Sequence, residues 1–219
     1  DIPELDIDLE LDEASTEFVD ELVKKLVLFT EEFCDVEFFP YQIPIAYRFI
    51  ESIVIGDGEE LTLIATRQSG KSEVLSNVVA SMMVILPKLS KIYPVWLTKF
   101  SKGFWCGVFA PTEDQADTVF SRIVSRLTSD HALEFLLDPE IDDKASSGGA
   151  RGKGKIVSLK NSGSLCRMQT CNPKAKIESK TYHFAVVDEA QGAVDKWPGF
   201  AEGGWWVMDP AAAKVADLG

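Results

Sequence analysis

Apolar residues recur first at helical spacing near the start of the chain. The pattern predicts a helix that is capped by Ser15 or Thr16 and runs to about Cys34. Its apolar face is formed by residues three and four positions apart: Phe18, Leu22, Leu26, Phe29 and Phe33. A second helix is predicted in "FFPYQIPIAYRFIESIVIG", whose prolines lie around the first turn, where they are tolerated.

Strands and helices then alternate along the chain. "LTLIAT" predicts a short buried strand, and after the loop "RQSG" a largely apolar helix, "KSEVLSNVVASMMVIL", is expected to stop at Pro87. "FWCGVFAP" predicts another strand, which is followed by a helix capped by Thr112. Two short strands are expected around "KNSG", and a last strand in "YHFAVVDEAQ". This order indicates an α/β fold with a mainly parallel sheet between helices, preceded by a helical segment.

The composition is that of a soluble globular protein. The 219 residues are 46% hydrophobic and 26% charged, and the longest apolar run, "VVASMMVIL", is too short to cross a bilayer. We therefore expect no membrane segment and, from the acidic amino terminus, no secretory signal. The four cysteines, Cys34, Cys106, Cys166 and Cys171, are sparse and irregularly spaced, which favours a reducing compartment over a disulfide framework. A zinc site that includes His183 would lack ligands, because the chain has two histidines.

The net charge of −13 is unevenly distributed. Residues 1–39 contain fourteen acids and two bases, a local sum of −12, and we interpret residues 1–14 as a disordered acidic leader. Residues 144–180 hold nine bases and one acid, Glu178. This basic segment is either a solvated face or a surface that contacts phosphates, and charge alone does not decide between them.

The stretch "TRQSGKSEV" has the form of a phosphate-binding loop. Its "GKS" opens a helix directly after a buried strand, the context that gives such a match its meaning. Gly70 lets backbone amides approach phosphate oxygens, Lys71 can reach the β and γ phosphates, and the hydroxyl of Ser72 can ligate magnesium. The usual first glycine of this motif is replaced by Ala65.

Two further motifs point to the same chemistry. "FAVVDEA" predicts a buried strand that delivers Asp188 to the carboxyl edge of the sheet, where it could hold magnesium and where Glu189 could act as general base. "FFPYQ" places Gln42 near a helix start upstream. Its amide can pair with the N6 and N7 edge of adenine, and Tyr41 could stack on the ring.

Together "PYQ", "TRQSGKS" and "VVDEA" resemble the large terminase subunit of tailed double-stranded DNA bacteriophages. The resemblance covers residues 38–192, the family's ATPase domain, and in that family the "RQ-x-GK-S" form without the first glycine is normal. It implies a P-loop NTPase of the ASCE, RecA-like class that uses ATP and Mg²⁺. It also implies a homo-oligomeric ring on the portal protein, with the small terminase subunit and double-stranded DNA as partners, in the host cytoplasm during virion assembly.

Site residues follow from matching positions. The resemblance implies catalytic roles for Glu189, Arg67 and Lys71 and metal binding by Ser72 and Asp188. The nucleotide contacts it implies are Tyr41, Gln42, Thr66, Arg67, Gln68, Ser69, Gly70, Lys71 and Ser72. The guanidinium of Arg67 over the γ-phosphate would stabilise charge that develops in the transition state. Lys180 and Arg167 are the nearest candidates for a residue supplied to a neighbouring subunit.

The chain departs from the family pattern after about Gln191. We assign residues 15–192 to the ATPase domain and 193–219 to an incomplete or atypical segment without a nuclease domain. The Ser/Thr-rich coupling motif is missing from the expected strand, which in this family lies between the strand of the phosphate loop and that of Asp188. Either "GWWVM", with Trp205 and Trp206, substitutes for that strand, or the chain is truncated or altered there.

Two alternatives to the packaging motor stay open. A superfamily 2-type helicase or DNA translocase would share the glutamine, the phosphate loop and "DEA", but "APTEDQA" lacks the arginine usual in helicases, and no second RecA-like half follows. A nucleotide-binding fragment without turnover is the non-enzymatic alternative.

Overall fold

The computed structural model describes residues 13–63, 69–135, 139–142, 155–170, 181–188 and 215–218. The helices are α1 (Glu13–Cys34), α2 (Gln42–Ile55), α3 (Lys71–Leu89), α4 (Pro94–Leu97), α5 (Glu113–Leu127) and α6 (Asp130–Leu133), with a 3-10 turn at Thr98–Phe100. The strands are β1 (Leu61–Thr62), β2 (Trp105–Ala110), β3 (Pro139–Asp142), β4 (Ile156–Leu159), β5 (Ser164–Thr170), β6 (Phe184–Asp188) and β7 (Val215–Leu218).

The strands form one sheet in the order β1-β7-β6-β2-β5-β4-β3. The first five strands of this order, β1, β7, β6, β2 and β5, run parallel. Strand β4 pairs antiparallel with β5, and β3 pairs antiparallel with β4. This arrangement confirms the predicted fold class of a mainly parallel sheet with helices. The expected pair of strands around "KNSG" is also present, as the β4–β5 hairpin.

Most element boundaries follow the sequence pattern. Thr112 caps α5 as predicted, because its hydroxyl accepts a hydrogen bond from the N–H of Gln115 (3.4 Å). Helix α1 starts at Glu13, so residues 13 and 14, which we assigned to the leader, are helical, and the predicted cap at Ser15 or Thr16 is wrong. Acidic residues are favoured in the first turn of a helix by its dipole. Strand β3 was not predicted.

Helix α3 passes through Pro87 and ends at Leu89, so the predicted stop at Pro87 is wrong. Proline has no N–H and cannot donate to the carbonyl of Met83, one turn earlier. That carbonyl instead accepts a hydrogen bond from the hydroxyl of Ser164 on β5 (2.7 Å). The substitute donor satisfies a buried acceptor and lets the helix continue.

Helix α3 lies in the centre of the protein. Every residue from Val74 to Val84 is buried, because α1, α2 and α5 pack around the helix and its far end contacts β5. The hydroxyls of Thr30 on α1 and Ser81 on α3 are 2.8 Å apart, which joins two otherwise apolar surfaces. Among the described helices, α3 alone is long and apolar enough to cross a membrane, and it is mostly buried inside the protein.

Candidate nucleotide site at the carboxyl edge of the sheet

The ends of β1 and β6 lie level with each other on either side of β7. Thr62 of β1 and Val187 of β6 both pair with Asp217, so Asp188 stands one residue beyond that level. Adjacent strands are spaced about 4.8 Å apart, which separates the ends of β1 and β6 by about 10 Å. Because the strands are parallel, the carboxyl ends of β1 and β6 lie at the same edge of the sheet. In open α/β folds, ligands bind at this edge.

The position between β1 and β6 is taken by "VADL", the residues of β7. It is therefore not left for "GWWVM", which lies outside the described residues. A strand between the phosphate-loop strand and the acidic strand is the order that the resemblance implied. The sheet thus has the expected order, built from a segment that we had not predicted as a strand.

The described part of the phosphate loop is Ser69 to Ser72. Gly70 adopts a left-handed conformation (φ 74°, ψ 15°) at the N-cap of α3, which a residue with a Cβ adopts at a cost. The first N–H groups of α3, which have no partner within the helix, and its positive dipole end begin directly after this glycine. Ser69 has a buried hydroxyl without a hydrogen-bond partner in the described structure. This combination fits an anionic ligand such as a phosphate.

The start of α2 packs directly against this loop. The hydroxyl of Tyr41 donates a hydrogen bond to the carbonyl of Ser69 (2.7 Å). Gln42 is 6% exposed, and its Oε1 accepts from the N–H of Phe39 (2.9 Å). This bond turns the amide nitrogen toward the loop, where a Cβ on Gly70 would lie 2.6 Å from it. The structure therefore brings Tyr41 and Gln42 to the phosphate loop, although 28 residues separate Tyr41 from Ser69.

Tyr41 also stacks on Phe39, with ring centroids 5.8 Å apart and planes at 3°. Phe39 is 62% exposed and Tyr41 is 50% exposed. The two rings form a partly exposed aromatic pair beside Ser69, and stacking of adenine on Tyr41 stays a prediction.

Asp188 ends β6 and is 7% exposed. Its strand lies between β7 and β2, so the carboxylate is placed by paired backbone on both sides. Burial of this kind suits a carboxylate that meets a cation, since burying a charge without a partner is costly. Lys71 and Ser72 form the first turn of α3. Four other predicted residues, Thr66, Arg67, Gln68 and Glu189, lie outside the described residues.

Arg167 lies in the middle of β5, paired with Gly107 of β2, and its Nε is buried without a hydrogen bond in the described structure. Arg167 is partly exposed, and its assignment as the supplied residue stays a prediction. Lys180 lies outside the described residues.

The cysteines and His183 do not assemble as metal ligands in the described part of the chain. Cys106 and Cys166 face each other across β2 and β5, and burial raises the pKa of the Cys106 thiol. His183 uses its Nδ1 to accept from the N–H of Trp105 (2.9 Å), and burial lowers its pKa to about 4. Burial likewise raises the pKa of Cys34 to about 12, so this thiol is not a nucleophile at neutral pH.

A charged cluster between the first turn of α3 and α5 was not predicted from the sequence. Glu73, the residue after Ser72, is bound by Arg122 and Arg126 of α5. The signal was present in the helical spacing of the two arginines, which are four residues apart and so lie on one face.

Comparison with solved structures places this arrangement among known folds. A mutant of the large-terminase ATPase domain of Thermus phage P74-26 aligns with a TM-score of 0.50 and 20% identity, over 85% of this chain and 67% of the other. The large terminase of bacteriophage HK97 aligns with a TM-score of 0.55 and 12% identity, over 90% of this chain and 37% of the other. The chain has the fold of phage large-terminase ATPase domains.

That fold assignment rests on structure. No protein-family model and no curated protein sequence matches the chain. The chain spans about two thirds of the P74-26 ATPase domain and just over a third of the HK97 terminase.

The contact between Gln42 and Gly70 can be tested by a double-mutant cycle. We expect Gly70→Ala to lower the free energy of unfolding by more than the about 1–2 kcal/mol of a left-handed alanine, because the new Cβ also meets the amide of Gln42. In a Gln42→Ala background the same change should cost less, by a coupling of at least about 0.5 kcal/mol in urea unfolding.

Gly58 provides the control, because it has a similar φ of 70° in an exposed turn. Gly58→Ala should show the conformational cost alone. Equal costs of Gly70→Ala in the two backgrounds would show that Gln42 does not lie against the loop.

Proposed function

We propose that this chain is the ATP-hydrolysing motor domain of a large terminase, which couples ATP hydrolysis to the movement of double-stranded DNA into a procapsid. The observation that carries the proposal is the sheet order β1-β7-β6. In this order the ends of β1, which precedes the proposed phosphate loop, and of β6, which ends in Asp188, are about 10 Å apart by strand spacing. The terminase-like fold supports the proposal.

Each residue at that edge has a role in this proposal. The amides around Gly70 and the start of α3 bind phosphates, and Lys71 neutralises charge on the β and γ phosphates. Ser72 and Asp188 would hold Mg²⁺, which would neutralise negative charge on the phosphates when bound. Glu189 orients and deprotonates the attacking water, and Arg67 stabilises charge that develops on the γ-phosphate.

The proposal also covers recognition of the adenine base and the partners of the motor. Gln42, beside Gly70, reads the edge of adenine next to the rings of Tyr41 and Phe39. Double-stranded DNA, a ring of identical chains, the portal protein and the small terminase subunit are the proposed partners, in the host cytoplasm at the procapsid portal. Nuclease activity is not part of the proposal for these 219 residues.

Lys71→Ala should weaken magnesium-dependent ATP binding at least about tenfold, because a charge-assisted contact to phosphate is lost. Isothermal calorimetry measures this change in Kd. Lys88→Ala is the matched control, since Lys88 is an exposed lysine at the opposite end of the same helix and should leave the Kd unchanged. Equal affinities of the Lys71→Ala variant and the unaltered chain would remove the phosphate-loop assignment.

Glu189→Gln should retain ATP binding and lower turnover at least about tenfold, because glutamine cannot accept the proton of the attacking water. Phosphate release under saturating ATP gives the rate. Glu113→Gln removes an exposed carboxylate that begins α5 at the same edge, and its rate should match that of the unaltered chain. If Glu189→Gln hydrolyses ATP at the unaltered rate, the general base is a different residue.

DNA should stimulate the ATPase, and the stimulation should fall steeply with salt if the basic segment 144–180 contacts phosphates. Each lost phosphate contact reduces the slope of log affinity against log salt by about 0.9. The pair Arg151→Gln and Lys153→Gln should flatten this slope. Lys155→Gln should do so less, because Lys155 is already paired with Asp117 (2.5 Å). A response to DNA that is flat in salt would favour a merely solvated face.

A further inference from the structure

Glu73, the residue after Ser72, carries a negative charge that disfavours binding of the phosphates proposed for this site. Glu73 lies in the first turn of α3, where a carboxylate interacts favourably with the helix dipole and so offsets the field that would hold phosphates. Its side chain is 34% exposed, so it is not removed from the site by burial. An uncompensated Glu73 would repel a triphosphate bound at Gly70, Lys71 and Ser72.

The structure compensates this charge from α5. Arg122 Nη1 donates to Glu73 Oε2 (2.9 Å), and Arg126 Nη2 donates to Glu73 Oε1, so both carboxylate oxygens are engaged. Two guanidinium groups against one carboxylate leave this cluster with a formal charge of +1. The first turn of α3 therefore faces the site with a net positive group in place of a bare acid.

Arg126 is itself fixed by two further bonds. Its Nε donates to Oδ1 of Asn77 on α3 (2.9 Å), and its Nη1 donates to the carbonyl of Cys34 at the end of α1 (3.3 Å). Arg126 thus joins α1, α3 and α5 at the phosphate end of α3. Arg122 is 43% exposed, and its described contact is the one with Glu73.

We propose that Arg122 and Arg126 are positioning residues for nucleotide binding, which neutralise Glu73 and draw its carboxylate toward α5 so that the start of α3 accepts a triphosphate. This inference rests on the proposed function of the site. Neither arginine contacts the nucleotide in this proposal, since both act through Glu73. Because this role is electrostatic, the effect of replacing an arginine on nucleotide affinity should depend on salt, whereas an effect of lost packing would not.

The size of the effect follows from Coulomb's law. For a unit charge and a doubly charged anion about 10 Å apart in water, this law gives a change in affinity of about two- to fivefold at low salt. At 1 M salt the Debye length is about 3 Å, and the effect should disappear. Arg122 is the better residue to change, because its replacement leaves the bonds of Arg126 to Asn77 and Cys34 in place.

The test is a charge cycle measured as the Kd of MgATP for the unaltered chain, Arg122→Gln, Glu73→Gln and the double variant. We expect Arg122→Gln to weaken binding about two- to fivefold and Glu73→Gln to tighten it by a similar factor. The double variant should bind at least as tightly as the unaltered chain, because no uncompensated acid remains. Lys25→Gln removes one positive charge from an exposed pair on α1 and should change the Kd little.

Each result decides the inference. Rescue of Arg122→Gln by Glu73→Gln, together with loss of the effect at 1 M salt, supports it. Weak binding by the double variant, or a change in affinity that persists at high salt, would show that Arg122 acts through packing and would overturn it. Circular dichroism and urea unfolding of the four proteins exclude a folding defect. Failure of the unaltered chain to bind MgATP overturns the proposed function, whereas binding with four equal Kd values overturns this inference alone.

Discussion

Two ladders of parallel hydrogen bonds, one on each side of β7, hold β1 and β6 at a fixed separation. The phosphate loop leaves the sheet from β1 and Asp188 leaves it from β6, so the width of the intervening strand sets the space between them. Two strand spacings give a separation of about 10 Å, whereas directly neighbouring strands would be about 4.8 Å apart. The site therefore depends on a strand that contributes no predicted ligand to it.

The helices around the loop fix its other side. Tyr41 and Gln42 come from the start of α2, and Glu73 connects the start of α3 to α5. These contacts join residues that are distant in the chain at one end of α3. Ser69 and Gly70 thus lie beside the start of α2, and the first turn of α3 that follows them is held to α5 by charged contacts.

The sequence predicted the elements whose signals are local. The cap at Thr112, the hairpin around "KNSG" and the end of β6 at Asp188 each depend on a few neighbouring residues, and the structure has them where they were expected. The end of α3 was predicted wrongly because a hydroxyl from Ser164, 81 residues from Met83, replaces the donor that Pro87 lacks. Such a partner is invisible to a local pattern.

The candidate site divides in the same way. "GKS" and "DEA" could be recognised because each follows a predicted buried strand. Two features could not be predicted, because each depends on three-dimensional neighbours: the pairing of the short segment "VADL" between β1 and β6, and the approach of Gln42 to Gly70. The binding of Glu73 by arginines 49 and 53 residues away belongs to the same class.

The substitute bond between Ser164 and the Met83 carbonyl has a mechanical consequence. It connects the far end of α3 to β5, while Glu73 connects the near end to α5, so the helix is held at both ends. Movement of α3 along its own axis would therefore have to break the bond to Ser164 at one end or the contacts of Glu73 with Arg122 and Arg126 at the other.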